Sequence, residues 1–130
     1  MSTLRKFSAA ALFGLILATP LMAQPIQPFT TAALKAAQAE GKPILVDAYA
    51  DWCPTCRKQA PTIEAISKDP AFDKLVILRL DYDNQGKEKK ALGITTQSTL
   101  IAFDGGKETG RSVGITDPAQ IKSLAQSALH

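Results

Sequence analysis

The only two cysteines of this 130-residue chain are separated by two residues, in Trp52-Cys53-Pro54-Thr55-Cys56-Arg57. They fall between two different periodicities. Ile44 to Ala50 (Ile-Leu-Val-Asp-Ala-Tyr-Ala) is short, apolar and rich in β-formers, whereas Arg57 to Lys68 carries Ala60, Ile63 and Ile66 at helical spacing. A strand must therefore run through a tight turn directly into a helix, with Cys53 at the helix N-terminus and Pro54 in the first turn, where a missing N–H costs little. Unpaired backbone N–H groups and the positive end of the helix dipole favour a thiolate there, so the Cys53 pKa is expected to be lowered. One sulfur can attack a partner and the other resolve the product, which points to thiol–disulfide exchange.

Two other uses of such a pair exist. A closed zinc site needs four ligands, and beyond the two cysteines the chain offers only His130, its last residue. A purely structural disulfide across so few residues closes a small loop and stabilises little.

The remaining chain alternates strand and helix signals. Gln24 to Phe29 holds two prolines and reads as an extended lead-in. Thr30 or Thr31 can cap a helix over Ala32 to Glu40, with Gly41 as its stop. After the cysteine turn and its helix, which contains a kink-prone Pro61, come a strand at Leu75 to Leu80 and a polar helix at Gly86 to Leu92. Thr99 to Phe103 and Glu108 to Val113 form a hairpin around Asp104-Gly105-Gly106-Lys107, and Asp117-Pro118 opens a last helix with Ile121, Leu124, Ala125 and Leu129 on one face. Helix–strand alternation followed by a hairpin implies an α/β fold, a mixed sheet covered on both sides. With 45% hydrophobic residues the chain supports one domain.

Residues 1–23 are expected to be a signal peptide. Arg5 and Lys6 precede the apolar stretch Phe7 to Ala18, and cleavage fits after Ala23. The apolar run is about a dozen residues, short of the roughly 20 a membrane-spanning helix needs. Export to the periplasm would place the cysteines where disulfides persist. Removing Arg5 and Lys6 lowers the formal charge from +3 to +1, and no basic stripe remains for nucleic acid. Lys87, Glu88, Lys89 and Lys90 read as a solvated helix face.

Val46-Asp47, Ala50-Asp51-Trp52-Cys53, Cys56-Arg57, Ala60-Pro61 and Phe103-Asp104-Gly105-Gly106 together resemble the thioredoxin family. The likeness runs from about Thr30 to Leu129, defining a thioredoxin-like domain over residues 30–130 behind the lead-in at 24–29. Gly41 to Asp47 followed by Tyr49 to Cys53 is especially similar to exported members such as the periplasmic C-terminal domain of DsbD-type thiol reductases. The resemblance implies a three-layer thioredoxin-like fold with a central mixed sheet.

Asp47 sits in the apolar strand six positions before Cys53. A buried carboxyl has a raised pKa and can exchange a proton near neutrality. In the family the matching acid lies behind the second cysteine and takes its proton, which makes Asp47 the candidate base for Cys56. Trp52, Pro54, Thr55, Arg57, Gln97 and Ser98 are expected to touch the partner or modulate the sulfurs, with Trp52 beside an exposed Cys53 and Arg57 and Lys58 adding positive potential. The family places a cis-proline where this chain has Ser98. Because a cis non-proline bond costs roughly 3–4 kcal/mol, the Gln97–Ser98 peptide is expected to be trans, with a rearranged loop. The Ser98 N–H or hydroxyl is then a candidate donor toward a thiolate, and the space beside the sulfurs a candidate opening for a metal ion.

These readings converge on an exported protein thiol–disulfide oxidoreductase, mildly preferred as reductant. Cys53 is its nucleophile, Cys56 its resolving thiol and Cys53–Cys56 its redox-active disulfide. It needs no cofactor and no resident metal. Its partners would be protein disulfides or dithiols and a redox-resetting protein such as a membrane thiol reductase, with no nucleic acid, and the chain would act as a monomer. The rival reading is a thioredoxin-fold protein that uses the same two thiols to hold or deliver copper. A third is a non-catalytic interaction module with a merely structural disulfide.

Overall fold

A computed structural model describes residue 14 and residues 24–129. The expected signal segment and His130 fall almost wholly outside them. Among the described residues no helix is long and apolar enough to cross a membrane.

The chain runs β1 (Gln27–Pro28), α1 (Thr31–Ala39), β2 (Pro43–Tyr49), α2 (Pro54–Lys68), a 3-10 turn (Pro70–Phe72), β3 (Val76–Asp81), α3 (Gly86–Ala91), β4 (Thr99–Asp104), β5 (Lys107–Val113) and α4 (Pro118–Gln126). The strands form one sheet in the order β1-β3-β2-β4-β5. β1, β3 and β2 are parallel, and β4 and β5 continue antiparallel. The expected mixed sheet covered on both sides is what forms. The lead-in is extended as expected and also contributes: β1 pairs with β3, and Phe29 is buried.

Helix ends follow local chemistry. The Thr30 hydroxyl accepts from the Ala33 N–H at 2.9 Å, and the Asp117 carboxylate accepts from Ala119 and Gln120 at 2.7 and 3.1 Å. The β4–β5 turn needs Gly105, whose φ is +55° and where an added Cβ would lie 3.3 Å from the Gly41 Cα.

Strand alternation splits the core into two layers. Ile44, Val46 and Ala48 of β2 face Phe29, Leu34, Ala37, Leu78, Leu80 and Ile101 on the α1 side. Leu45 faces the opposite way, toward Ile63 and Ile66 of α2 and Ile121 of α4. Asp47 shares the Leu45 face by the same period. In β3, Val76, Leu78 and Leu80 pack with the first layer and Ile77 with the second, so Arg79 also points to the α2 side. Since Asp47 is directly opposite Arg79 in the parallel register, topology alone brings the acid and the base together under α2.

Candidate active site

Cys53 is the N-cap of α2, with extended backbone (φ −79°, ψ 111°), and its sulfur accepts the Cys56 N–H at 3.0 Å. Pro54 occupies the first helical turn. This is the arrangement the sequence implied. Cys53 and Cys56 form a disulfide, their Cα atoms 5.3 Å apart.

The expected exposure of Cys53 does not hold. Cys53 is 0% and Cys56 1% exposed, and both pack with Ala50 beneath the half-buried rings of Tyr49 and Tyr82. The cause is the packing around the pair rather than the cap, since the exposed caps Thr30 and Asp117 also accept helix N–H groups. Tyr82 is fixed over the pair by its hydroxyl, which donates to the Thr95 carbonyl at 3.1 Å, while Lys89 Nζ sits 3.7 Å above its ring. Lys89 thus has a partner within the lysine cluster that read as solvated.

Around this sealed pair the other expected residues are peripheral. Trp52 is 54% exposed, and its indole N–H donates to the Asp83 carboxylate at 2.9 and 3.2 Å. Pro54 and Lys58 are exposed and Thr55 and Gln97 partly so. Exposed Arg57 turns its guanidinium to the Asp51 carbonyl at 3.3 Å, which leaves little of its charge aimed at the sulfur.

Asp47 is fully buried rather than meeting solvent, and burial pushes its carboxyl above the ordinary 3.8 even though the Arg79 guanidinium pulls the other way. The pairing is one-sided. Arg79 Nε donates to Asp47 Oδ2 at 2.9 Å and Nη2 lies 2.9 Å from the same oxygen without hydrogen-bond alignment, so Oδ1 is buried with no partner. Arg79 also stacks on the Tyr49 ring, 4.4 Å from its centroid. Arg79 also lines an open cleft of about 810 Å³ shared with Tyr49, Asp51, Asp81 and Asp83. Across the sheet backbone, the Ala48 carbonyl oxygen is 3.8 Å from the Cys56 sulfur.

Ser98 departs from expectation. All described peptide bonds are trans, Gln97–Ser98 included, but neither Ser98 donor is available to a thiolate. Its N–H donates to the Ala48 carbonyl at 2.9 Å and its hydroxyl to the Gln97 carbonyl at 2.5 Å. The residue is 5% exposed and adopts φ +59°, the one non-glycine in that region among those described. The loop closes onto the sheet through these bonds. Among the described residues no group of three or more Cys, His, Asp or Glu side chains gathers that could hold a metal ion.

Sequence reasoning missed three residues of this neighbourhood. Arg79 was visible only as a charge inside an apolar strand, and its partner depends on register. Gln59 lies at helical spacing between Cys56 and Ile63 on the buried face of α2, a polar residue in an apolar stripe. Tyr82 carried no local signal.

The thioredoxin profile matches residues 26–127. The chain belongs to the thioredoxin family. It is 36% identical to thioredoxin of Chlamydia muridarum over 81 residues, 62% of this chain and 78% of that one. To Thioredoxin-1 of Saccharomyces cerevisiae it is 34% identical over 93 residues, covering 72% and 87% respectively. Among solved structures, Trxlp of Edwardsiella tarda superposes with a TM-score of 0.74 at 37% identity, over 77% of this chain and 98% of that one. Malassezia sympodialis thioredoxin superposes at 0.70 with 28% identity, over 80% and 93%. This thioredoxin-family redox protein is a thiol–disulfide oxidoreductase with its Cys-x-x-Cys pair at disulfide distance.

Proposed function

We propose that the chain is an exported member of the family that reduces protein disulfides, in the manner of DsbD-type periplasmic domains, and is returned to the dithiol by a membrane thiol reductase. The observation that carries the chemistry is a disulfide at the N-terminus of α2 together with a buried, half-satisfied carboxylate on the face of β2 that α2 covers. The export and direction rest on the N-terminal segment and the flanks of the cysteine turn.

In the reduced protein, Cys53 thiolate is stabilised by the Cys56 N–H and the α2 dipole. It attacks one sulfur of a substrate disulfide, forming a Cys53–substrate bond and releasing the other substrate sulfur as a thiolate that takes a proton. Cys56 then gives up its proton and attacks the Cys53 sulfur, and the second substrate thiolate leaves. Two electrons pass to the substrate and the pair ends oxidised. Asp47 accepts the Cys56 proton: it lies on the α2 face of β2, its Oδ1 has no other partner, and burial raises its affinity for protons. Because Cys53 is sealed when oxidised, resetting by a partner thiolate requires the residues packed around the pair, Tyr49 and Tyr82 among them, to give way.

Trapping tests this reading. Exported Cys56→Ala should accumulate mixed disulfides with periplasmic proteins, and wild type should reduce insulin disulfides at neutral pH. A wild-type protein that reduces no disulfide, together with a Cys56→Ala protein that captures nothing, would sink it.

A further inference from the structure

Gln59 is fully buried one turn beyond Cys56, on a face of α2 otherwise lined by Ile63 and Ile66. Burying a carboxamide is costly where its groups go unbonded, and Gln59 Oε1 has no partner, so an aliphatic side chain would suit the stripe better on packing grounds. Here Gln59 Nε2 bridges two segments. It donates to the Ser98 carbonyl at 3.2 Å and to the Ile115 carbonyl at 2.8 Å. Ser98 is also held by the Gly114 N–H, which donates to its carbonyl at 3.0 Å, and its own N–H donates to the Ala48 carbonyl that faces Cys56. A polar chain thus runs from Ile115 through Gln59, Ser98 and Ala48 to the resolving sulfur.

We propose that Gln59 is a positioning residue for the exchange, its carboxamide locking Ser98 in the left-handed conformation that keeps the Ser98 N–H on the Ala48 carbonyl opposite the Cys56 sulfur. The physical link is competition at one oxygen. An Ala48 carbonyl already bonded to Ser98 is a weaker acceptor for the Cys56 S–H, so the neutral thiol gains less over the thiolate that must attack. Releasing the clamp lets that oxygen favour the thiol, which slows resolution and leaves the first attack by Cys53 untouched. The inference rests on the exchange chemistry proposed above.

The test separates the two steps in the full chain. Reduced protein is mixed with an aromatic disulfide reagent that liberates a coloured thiolate once when Cys53 attacks and again when Cys56 resolves. Gln59→Met keeps length and removes both donors. It should leave the first phase within about twofold of wild type and slow the second by about fivefold or more at neutral pH, with its pH profile moved upward. Equal slowing of both phases, or a lower Tm with neither phase altered, overturns the role of Gln59. Should Gln59→Met not fold, the wild-type protein decides: Gln59 side-chain amide protons should exchange with solvent only on global opening, and exchange as fast as that of exposed Gln120 refutes the clamp. Absence of a second phase in wild type would instead sink the exchange reading itself.

Discussion

Replacing Ser98 with proline is the perturbation for which the structure reverses the expectation drawn from family resemblance. Judged by resemblance, proline restores a familiar residue and should alter rates more than stability. The structure says otherwise, because Ser98 has φ +59° and its N–H donates to the fully buried Ala48 carbonyl. Proline is fixed near φ −65° and has no N–H, so it can occupy this site only if the loop rebuilds. Losing the bond while leaving a buried carbonyl unpaired costs about 1–3 kcal/mol. Rebuilding the loop also disturbs the bonds that the Ser98 carbonyl accepts from Gly114 and Gln59, about 1 kcal/mol each. The total is about 3–5 kcal/mol, and for a domain of this size each kcal/mol moves Tm by roughly 4–8 °C. Ser98→Gly is the control. It keeps the N–H and relieves a left-handed strain of about 1–2 kcal/mol, offset by greater freedom in the unfolded chain and loss of the hydroxyl bond. Its stability should stay within about 1 kcal/mol of wild type. Denaturant melts of the oxidised proteins measure both. If Ser98→Pro proves as stable as Ser98→Gly, the left-handed conformation and its bond to Ala48 do not hold that loop.

Two further substitutions probe the site. Asp47→Asn should stabilise the protein at pH 7 by on the order of 1 kcal/mol, since Arg79 can turn to solvent in the cleft while the charge that burial disfavours is gone. The folded-state pKa of Asp47 is raised, so wild type carries no such penalty below the ordinary value of 3.8 and acquires it as pH rises through the folded value. Melts across pH should therefore converge at the acid end, and an advantage for the variant that persists there contradicts the assignment. The same variant should slow resolution by Cys56. Tyr82→Ala removes the ring packed over the disulfide, at a cost of about 1–2 kcal/mol for a half-buried side chain, and should speed reduction of Cys53–Cys56 by dithiothreitol. An unchanged rate would mean that Tyr82 does not limit access.

The cysteine turn, its place at the start of α2, the order of the elements and the two-sided core were legible in the sequence, because each is written in short-range terms. Apolar period separates Ile44-to-Ala50 from Arg57-to-Lys68, caps such as Thr30 and Asp117 act within three residues, and Asp104-Gly105-Gly106-Lys107 signals a turn by itself. A buried Asp47 was legible for the same reason, as a charge inside an apolar run. What tertiary structure alone decided is which distant groups meet. Arg79 reaches Asp47 because parallel pairing sets them in register 32 residues apart, and Gln59 reaches Ile115 across 56 residues. Tyr82 closes over a sulfur expected to be open, and Ser98 spends both donors inside the fold. Local pattern fixes what a residue can offer, but partners, register and solvent access belong to chain segments far apart in sequence, and no period or motif encodes their separation.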